Sequence, residues 1–523
     1  MSKPSDLTYD AVVIGAGHNG LAAATTLARQ GKSVCVIESR DGIGGMARNA
    51  AIAPGVVAPK MAHLLYNLNP KTLKELGITA PKSVSLPTVS LADDGRHVVI
   101  QGDLVIYADG SAHPEAATFA ALHKRLTKFA ALLGQMSLKT PPSLAGGLMD
   151  MATLQELAGL AKLGIGLKRM GKKDMREFLR ILLSNAYDLI LDDFADAPLA
   201  GMLAADAVRG AYAGPRSPGT VFSMMYRLGN GGDVRLPMGG MGAVADAFAN
   251  AAKLAGCDIR TGCGVAQVIV ENDTARGVIL ADGSVINARS VLSSIGAFQT
   301  MQMAGVQHYD TEAVRRLRNL RNKGTVAKVN LVLSGAPDFV GLDAKLTAGR
   351  LLIATSATYV ERAFNPVKYG DMSNAPVIEA VIPSLSDPSL CSDGQHILSA
   401  NVQYVPYALA GGWTPAARQK LLKSTLDRLE VYAPGLGRLV THSEVLTPLD
   451  IETQTGAPGG HWHHAEMGID QILTLRPVNG MARYGFGIAG YYLCGASAHP
   501  GGDVMGTAGR NAARQLLKDG VLA

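Results

Sequence analysis

The first forty residues alternate between short apolar runs and a segment with helical spacing. Tyr9–Ile14 is a β-branched apolar run, Asn19–Gln30 carries alanines at helical spacing, and Ser33–Ile37 is a second apolar run that ends at Glu38. Short β-branched runs predict buried strands, and the longer period between them predicts a helix. The beginning of the chain is therefore predicted to form a βαβ unit.

The last thirty residues contain a strand, a loop and a helix. Tyr491–Cys494 is an apolar run, Gly495–Asp503 is the glycine-rich loop GASAHPGGD, and Val504–Leu517 has helical spacing. Asp503 stands directly before the helical segment, where aspartate is a preferred N-cap residue. We predict a helix that begins at Val504 with Asp503 as its cap.

The segments between the two ends differ in the period of their apolar positions. Val265–Leu292 alternates and is broken by ENDTARG and ADGS, which predicts a three-stranded meander with an Asp-Gly hairpin. Pro114–Asp206 has mostly helical spacing. Residues 320–475 contain the β-rich runs KVNLVLSG, VIEAVIP and ILSANVQYV, which suit a sheet that forms one wall of a cavity.

Charge and cysteine usage exclude several classes of protein. The net charge of +6 is mild for 523 residues and the basic residues are scattered, which argues against nucleic acid as a partner. The five cysteines form no CxxC pair, so the residues for dithiol redox chemistry are missing, and this usage fits a reducing cytoplasm.

The N-terminus has no apolar signal region, and no run approaches the ~18 apolar residues of a spanning helix. We expect a cytoplasmic protein.

Basic residues border two apolar stretches in the helical segment, LAKLGIGLKRM and FLRILLSNAYDLIL. Two interpretations remain open: core helices with a solvated basic face, or helices that rest on anionic lipid, so that the protein is peripheral to a membrane. The basic residues concerned are Lys162, Lys168, Arg169, Lys172 and Lys173.

The turn of the predicted βαβ unit carries the glycines of a dinucleotide-binding motif. Gly15 turns the chain, Gly17 admits a pyrophosphate and Gly20 allows helix and strand to pack closely. Glu38 ends the second strand, where a carboxylate accepts the ribose hydroxyls and repels a 2′-phosphate. FAD or NAD fits this pattern and NADP does not; an ordinary glycine turn is the alternative.

Two further glycine pairs favour FAD over NAD. Gly44 and Gly45 follow the ribose carboxylate, where backbone can pass under the diphosphate, although a surface loop is the other interpretation. The C-terminal loop would hold the flavin end of the same molecule, with Asp503 on the ribityl chain. The residues expected to bind FAD are Gly15, Gly17, His18, Asn19, Gly20, Glu38, Ser39, Gly44, Gly45, Met46, Arg48, Val265, Gly495, Gly502, Asp503 and Val504.

Three segments resemble the phytoene desaturase and carotenoid oxidoreductase group of flavoproteins: GAGHNGLAAATTLARQG, VRLPMGGMGAVADAFANAA and GASAHPGGDVMGTAGRNAA. The resemblance implies FAD, an apolar substrate of the isoprenoid or carotenoid kind, and backbone of Val265 against the adenine, although Val265 also suits a core position. Asp503 departs from the glycine that many relatives carry.

The glycine motif and the resemblance together predict an α/β fold of two units, because the chain exceeds the size at which one hydrophobic core keeps growing. A discontinuous Rossmann-type FAD-binding domain would comprise residues 1–90, 225–300 and 480–523. A mixed α+β substrate domain, as in phytoene desaturases and amine oxidases, would comprise residues 91–224 and 301–479.

Three histidines are candidates for acid or base chemistry. His499 lies in the loop expected beside the flavin ring, His63 follows the second glycine pair, and His464 belongs to the segment HWHHAEM. A histidine bonded only to backbone is the alternative for His499. The cluster in HWHHAEM lacks remote ligands, so we predict no metal site. Asp470 and Arg476 are expected to pair with each other.

The leading hypothesis is an FAD-dependent oxidoreductase that abstracts hydride from an apolar substrate and forms a carbon–carbon double bond. A flavin amine oxidase and a flavin-binding interaction protein with vestigial catalysis are the alternatives. Because the sequence has no second strand-linked GxGxxG, electrons would leave to oxygen, a quinone or another diffusible acceptor. A homo-oligomer is compatible with the sequence.

Overall fold

The computed structural model describes residues 8–142, 171–229 and 231–522. Its strands are β1 Thr8–Ile14, β2 Val34–Ile37, β3 Asn49–Ala53, β4 Val56–Pro59, β5 Ser83–Ser85, β6 Thr88–Ser90, β7 Val98–Gln101, β8 Leu104–Tyr107, β9 Arg235–Pro237, β10 Asp258–Arg260, β11 Val265–Glu271, β12 Thr274–Leu280, β13 Val285–Ser293, β14 Val326–Leu333, β15 Arg350–Ile353, β16 Val377–Val381, β17 His396–Gln403, β18 Val440–Leu446 and β19 Tyr491–Leu493. Its α-helices are His18–Ala28, Pro70–Leu76, Ala116–Ser137, Gly171–Leu182, Ala186–Leu191, Pro198–Ala207, Thr220–Leu228, Gly240–Leu254, Ala297–Ala304, Thr311–Arg318, Ala344–Thr347, Ala357–Phe364, Pro415–Glu430, Leu436–Leu439, Pro448–Thr455 and Thr507–Lys518.

The first sheet brings the two ends of the chain together. Its order is β10-β2-β1-β13-β12-β11, and β19 also pairs with β13. β10, β2, β1, β13 and β19 run parallel, whereas β11, β12 and β13 form the predicted antiparallel meander. Parallel pairing requires crossovers, which explains why β1 and β2 flank the helix His18–Ala28.

The second sheet has the order β18-β14-β17-β16-β15-β6-β7-β8 and is antiparallel except between β15 and β6. Its central strands contain the predicted runs KVNLVLSG, VIEAVIP and ILSANVQYV, and β14 and β16 are buried along their whole length. β6 pairs in this sheet, although residues 88–90 fall within the range predicted for the FAD-binding domain.

Helices cover both sheets. The C-terminal helix Thr507–Lys518 and the helix Gly240–Leu254 pack on His18–Ala28, beside the first sheet. Ala116–Ser137 packs on Thr220–Leu228, and Pro198–Ala207 packs on Ala357–Phe364, around a second hydrophobic core. The predicted α/β fold with a discontinuous dinucleotide-binding part is confirmed.

The helical stretches that raised the hypothesis of membrane contact are only partly described. LAKLGIGLKRM lies outside the described residues, whereas Lys172 and Lys173 are exposed at the beginning of Gly171–Leu182. Within the described ranges, no helix combines the length and the apolar character needed to cross a bilayer. Peripheral membrane contact stays a prediction.

Candidate functional site

A cavity of about 450 Å³ lies where the carboxyl ends of β1, β2 and β13 meet the second sheet. Ile14, Glu38 and Ser294 line it from the first sheet, and Asn401 lines it from β17. In open α/β sheets this is the edge at which ligands bind, because loops and helix N-termini converge there. The cavity is also within the size range of cofactor sites.

The first glycine motif forms one wall of the cavity. Gly15 has a φ of +93°, and a Cβ atom on Gly20 would lie 2.0 Å from the Gly15 carbonyl oxygen, so both positions need glycine. A Cβ atom on Gly17 would meet no protein atom within 4 Å. Gly17 precedes the helix His18–Ala28 and leaves open space in front of its N-terminal amides, which suits a pyrophosphate.

Glu38 is held in a fixed orientation at the end of β2. Its Oε2 accepts a hydrogen bond from the Ala16 amide at 2.9 Å, and its Oε1 accepts one from the Arg40 amide at 3.1 Å. Ser39 and Val265 line the cavity beside it. A carboxylate fixed here is placed to bind the hydroxyls of a ribose, as the sequence predicts.

The second glycine pair touches the first motif. Gly44 and Gly45 have φ values of +103° and +57° and line the cavity together with Met46. A Cβ atom on Gly45 would lie 3.5 Å from the Gly17 Cα atom, so the two loops approach each other closely. Arg48 packs behind Gly44 and does not line the cavity.

The C-terminal loop forms a further part of the cavity wall, and Asp503 contacts His18 beside the glycine motif. Gly502, Asp503 and Val504 line the cavity, and Asp503 Oδ2 accepts a hydrogen bond from Asn67 Nδ2 at 2.7 Å. Asp503 has a φ of +67°, a left-handed conformation that glycine adopts more readily. This explains why the resemblance places glycine at this position in many relatives.

The predicted cap of the C-terminal helix is wrong. The helix begins at Thr507, and its N-cap is Gly506 instead of Asp503. Both Asp503 and the observed cap Gly506 have a positive φ, and residues 504–506 continue the loop before the helix begins. Asp503 therefore offers its carboxylate to the cavity and to Asn67.

Polar atoms without partners belong to residues that line the cavity. His18 Nε2, Gln299 Oε1 and His464 Nδ1 are buried and make no hydrogen bond within the described chain. Buried polar atoms are normally satisfied, so each of these atoms indicates a ligand or solvent partner. Open glycine backbone, a fixed carboxylate and unsatisfied polar atoms together fit the polar groups of FAD.

Gly20 and Gly495 allow close backbone packing next to the cavity. A Cβ atom on Gly495 would lie 2.3 Å from the Ser294 carbonyl oxygen, so the C-terminal loop packs directly on the chain that leaves β13. Neither glycine is part of the lining, whereas Asn19 is. The role of these two glycines in the structure is close packing of backbone.

The three candidate histidines occupy different places. His464 lines the cavity, whereas His63 and His499 do not. His499 Nε2 lies 3.2 Å from the carbonyl oxygen of Met136, which matches the alternative of a histidine bonded to backbone. His63 Nε2 lies 2.9 Å from Glu379 Oε1, within a buried cluster of charged side chains. Burial lowers the pKa of each of the three imidazoles to about 4.

The segment HWHHAEM contributes cavity lining. Trp462, His463 and His464 line the cavity. In the described part of the chain, no group of three His, Cys, Asp or Glu side chains is arranged to hold a metal ion. Burial also lowers the pKa of His463 well below its ordinary value, so the imidazoles at this wall are neutral at pH 7.

The predicted pair of Asp470 and Arg476 does not form. Asp470 pairs with Arg321, at 2.6 Å and 2.8 Å. Arg476 is fully buried and donates to backbone carbonyl oxygens, among them Ala496 at 2.7 Å and His463 at 2.9 Å. Burial lowers its pKa to about 10, so it remains charged at pH 7 and ties together two loops that line the cavity.

Charged residues that the sequence analysis did not single out surround the second-sheet side of the cavity. Arg209 lines the cavity, and its Nε and Nη2 donate to the two oxygens of Glu379 at 3.1 Å and 3.0 Å. Arg350 Nε also donates to Glu379 Oε2, at 2.8 Å, and Arg350 Nη2 donates to Asp206 Oδ1 at 2.7 Å. These residues come from separate segments with no shared motif, so no local sequence signal could have grouped them. The charged cluster consists of His63, Asp206, Arg209, Arg227, Lys328, Arg350 and Glu379.

The Rossmann-type sheet, the glycine walls and the fixed ribose carboxylate define an FAD-dependent oxidoreductase. A family model for flavin-containing amine oxidoreductases matches residues 20–345, and the chain belongs to that family. The cofactor is accordingly FAD.

Comparison with known proteins confirms the resemblance seen in the sequence. The chain is 33% identical to mouse pyridine nucleotide-disulfide oxidoreductase domain-containing protein 2, over 98% of this chain and 94% of that one. It is 26% identical to a phytoene desaturase (neurosporene-forming) of Rhodobacter capsulatus, over 97% and 94% of the two chains. The solved structure of an oxidoreductase from Methanosarcina mazei has the same fold, with a TM-score of 0.60 at 18% identity, covering 98% of this chain and 100% of that one.

Proposed function

We propose that the protein removes two hydrogen atoms from neighbouring carbon atoms of a substrate with an apolar body and forms a carbon–carbon double bond. The observation that carries the proposal is the apolar part of the lining, supplied by Met46, Met61, Ala62, Leu64 and Ile295. The likeness to phytoene desaturases supports an isoprenoid- or carotenoid-like body for the substrate.

FAD, when bound, would supply the hydride acceptor for this reaction. The protein contributes an apolar wall that orients the substrate and excludes water. The remaining proton passes to solvent. His464 lines the cavity and its Nδ1 has no partner within the described residues, but burial lowers its pKa to about 4, which makes its imidazole a poor proton acceptor at neutral pH. The substrate thus loses one hydride and one proton, and oxygen, a quinone or another diffusible acceptor takes the two electrons in turn.

One observation weighs against the amine oxidase alternative. An aromatic cage for an amine needs open ring faces. Tyr66 and Trp462 both line the cavity, but the Arg209 guanidinium lies between them, 4.4 Å from the Tyr66 ring centre and 4.8 Å from the Trp462 ring centre. The protein's own cation therefore occupies the ring faces that would otherwise surround an ammonium group.

Anaerobic mixing of the FAD-loaded protein with matched substrates tests the proposal. One panel consists of partly saturated polyenes, and the other consists of alkylamines of similar length. We expect polyene-like molecules to bleach the flavin and to yield products that lack two hydrogen atoms by mass spectrometry. Bleaching by the amines alone would contradict the proposal and favour the amine oxidase.

A further inference from the structure

Arg209 presents a rigid guanidinium to the cavity with part of its hydrogen-bonding capacity unused. Nε and Nη2 are bound to Glu379, whereas Nη1 donates no hydrogen bond to any described residue. The guanidinium carbon of Arg209 lies over the rings of both Tyr66 and Trp462, 4.4 Å and 4.8 Å from their centres, and these contacts hold the group at the cavity wall.

The charges around Arg209 do not balance. The cluster contains three guanidinium groups, those of Arg209, Arg227 and Arg350, and two carboxylates, those of Asp206 and Glu379. Both carboxylates are charged, because the guanidinium groups hold their pKa values below the ordinary range. Lys328 is buried in the same cluster, and burial lowers its pKa well below the ordinary value. Even with Lys328 neutral, three guanidinium groups share two carboxylates, so the cluster carries an excess of one positive charge.

The other acidic residues of the lining are engaged elsewhere. Glu38 is bound to backbone amides at the end of β2, and Asp503 is bound to Asn67. Glu452 accepts hydrogen bonds from the Tyr407 hydroxyl and the Gly459 amide. Excess positive charge in a buried cluster is costly, so an anionic ligand group at Arg209 would be stabilised both by hydrogen bonds and by charge.

We infer that the substrate ends in a carboxylate that Arg209 binds through its free Nη1 edge, while the apolar body of the substrate lies against Met61, Ala62 and Leu64. The inference rests on the proposed function and specifies the substrate class for the same cavity. A planar carboxylate matches the edge of a guanidinium group, and the excess positive charge of the cluster disfavours a cationic end group at this place.

Equilibrium binding of matched acids and esters to the FAD-loaded protein tests the inference. The probes are hexanoate, decanoate and palmitate, their methyl esters, and decylamine, and the readouts are the flavin absorption spectrum and isothermal titration calorimetry. We expect at least one acid to bind at least about tenfold more tightly than its ester, and decylamine not to bind. If no acid binds, or if acid and ester bind equally, the inference is wrong. This comparison uses the unmodified protein, so its outcome does not depend on whether a variant folds.

Two variants test whether Arg209 causes the preference for acid over ester. Arg209→Gln should abolish the preference for acid over ester and leave the affinity for the ester unchanged. Arg227→Gln is the matched control, because Arg227 belongs to the same cluster and also lies over the Tyr66 ring but does not line the cavity. Because Arg227→Gln also removes one positive charge from the cluster, it should reduce the preference without abolishing it. Loss of the preference in both variants alike would overturn the role of Arg209.

The outcomes separate this inference from the proposed reaction. Acids that bind through Arg209 without bleaching the flavin would support the carboxylate site and contradict dehydrogenation of these compounds. Bleaching by a neutral polyene, in a protein that binds no acid in preference to its ester, would support dehydrogenation and overturn the carboxylate site.

Discussion

Gly17 and Gly20 lie in the same turn, but their missing side chains matter for different reasons. Gly17 faces open space in the cavity, whereas Gly20 faces the carbonyl oxygen of Gly15 at a distance that no Cβ atom tolerates. The missing side chain of Gly17 leaves space for the cofactor, and that of Gly20 allows the helix to pack against the backbone of Gly15. The two functions can therefore be separated by substitution.

Gly17→Ala should weaken FAD binding at least about tenfold while changing the free energy of unfolding of the apoprotein by less than about 1 kcal/mol, since the methyl group would enter the open space proposed for the cofactor and meet no protein atom. Gly20→Ala should lower that free energy by about 1–3 kcal/mol or more, because the fold is overpacked. Flavin titration and urea unfolding measure the two effects. If Gly17→Ala lowered the free energy of unfolding as much as Gly20→Ala does, the proposed role of Gly17 in making space for the cofactor would be wrong.

Buried histidines should make the stability of the protein depend on pH. Burial lowers the pKa of His18, His63, His464 and His499 to about 4 in the folded chain, below the ordinary value of 6.5. Between these values the unfolded chain binds more protons than the folded one, so stability is complete above about pH 6.5 and falls as the pH drops towards 4. Each imidazole contributes up to about 1.4 kcal/mol per pH unit.

Urea midpoints at about pH 5, 6 and 7.5 measure this dependence. His63→Asn should reduce the slope, whereas His442→Asn, at an exposed position, should leave it unchanged. A midpoint that is the same at all three pH values would contradict the expected burial of these imidazoles.

At the residue scale, sequence reasoning was most useful where a local motif carries the chemistry. Gly17, Glu38 and Gly45 stand in one short stretch, and the structure places all three in the lining. Arg209 and Trp462 could not be grouped in this way, because their proximity depends on how distant segments pack.

Glu379 joins separate elements of the substrate side. It lies on β16 and accepts hydrogen bonds from Arg350 on β15, Asn401 on β17 and Arg209 in the loop after Pro198–Ala207. His63, between β4 and the helix Pro70–Leu76, completes this set of partners. The carboxylate therefore fixes the relative positions of strands and loops that face the cavity.

Glu379→Gln should lower the free energy of unfolding by about 3–5 kcal/mol, because buried guanidinium groups lose their counter-charge. Glu312→Gln is the matched control, since Glu312 pairs with Arg315 and Arg316 on the surface and its loss should leave the urea midpoint unchanged. Similar midpoints for both variants would show that the charged cluster adds little to stability.

At the element scale, the strands and the first helix could be predicted because their apolar periods are strong. The beginning of the C-terminal helix could not, since Val504 continues the helical spacing while the backbone is still a loop as far as Gly506. A hydrogen bond from Asn67 holds the Asp503 carboxylate within this loop, and no local sequence pattern indicates that contact.

The two ends of the chain meet at the helix pair His18–Ala28 and Thr507–Lys518. A Cβ atom on Gly509 would lie 1.8 Å from the Asn19 carbonyl oxygen, so the helices pack backbone to backbone. Two glycine loops about 480 residues apart in sequence are thereby brought to one cavity. The sequence motifs predicted that the two loops share one cavity. The charged cluster around Arg209 could not be predicted, because it depends on the packing of the second sheet.

Gly509→Ala should separate the two helices, lower the free energy of unfolding by about 1–3 kcal/mol or more, and weaken FAD binding as well, because both walls of the cavity shift. Gly485→Ala is the matched control: its Cβ atom would meet no atom within 4 Å and its backbone is not left-handed. Urea unfolding and flavin titration of both variants make the comparison. A Gly509→Ala protein with unchanged FAD affinity would indicate that the C-terminal loop does not hold the cofactor.

The most direct test of the central claim, that both ends of the chain hold one FAD, is flavin analysis of the purified protein. The account predicts a flavin absorption spectrum and one FAD per chain, and it predicts that Gly17→Ala and Asp503→Ala each reduce the bound fraction. A colourless protein that takes up no added FAD, or FAD binding that neither substitution affects, would contradict it.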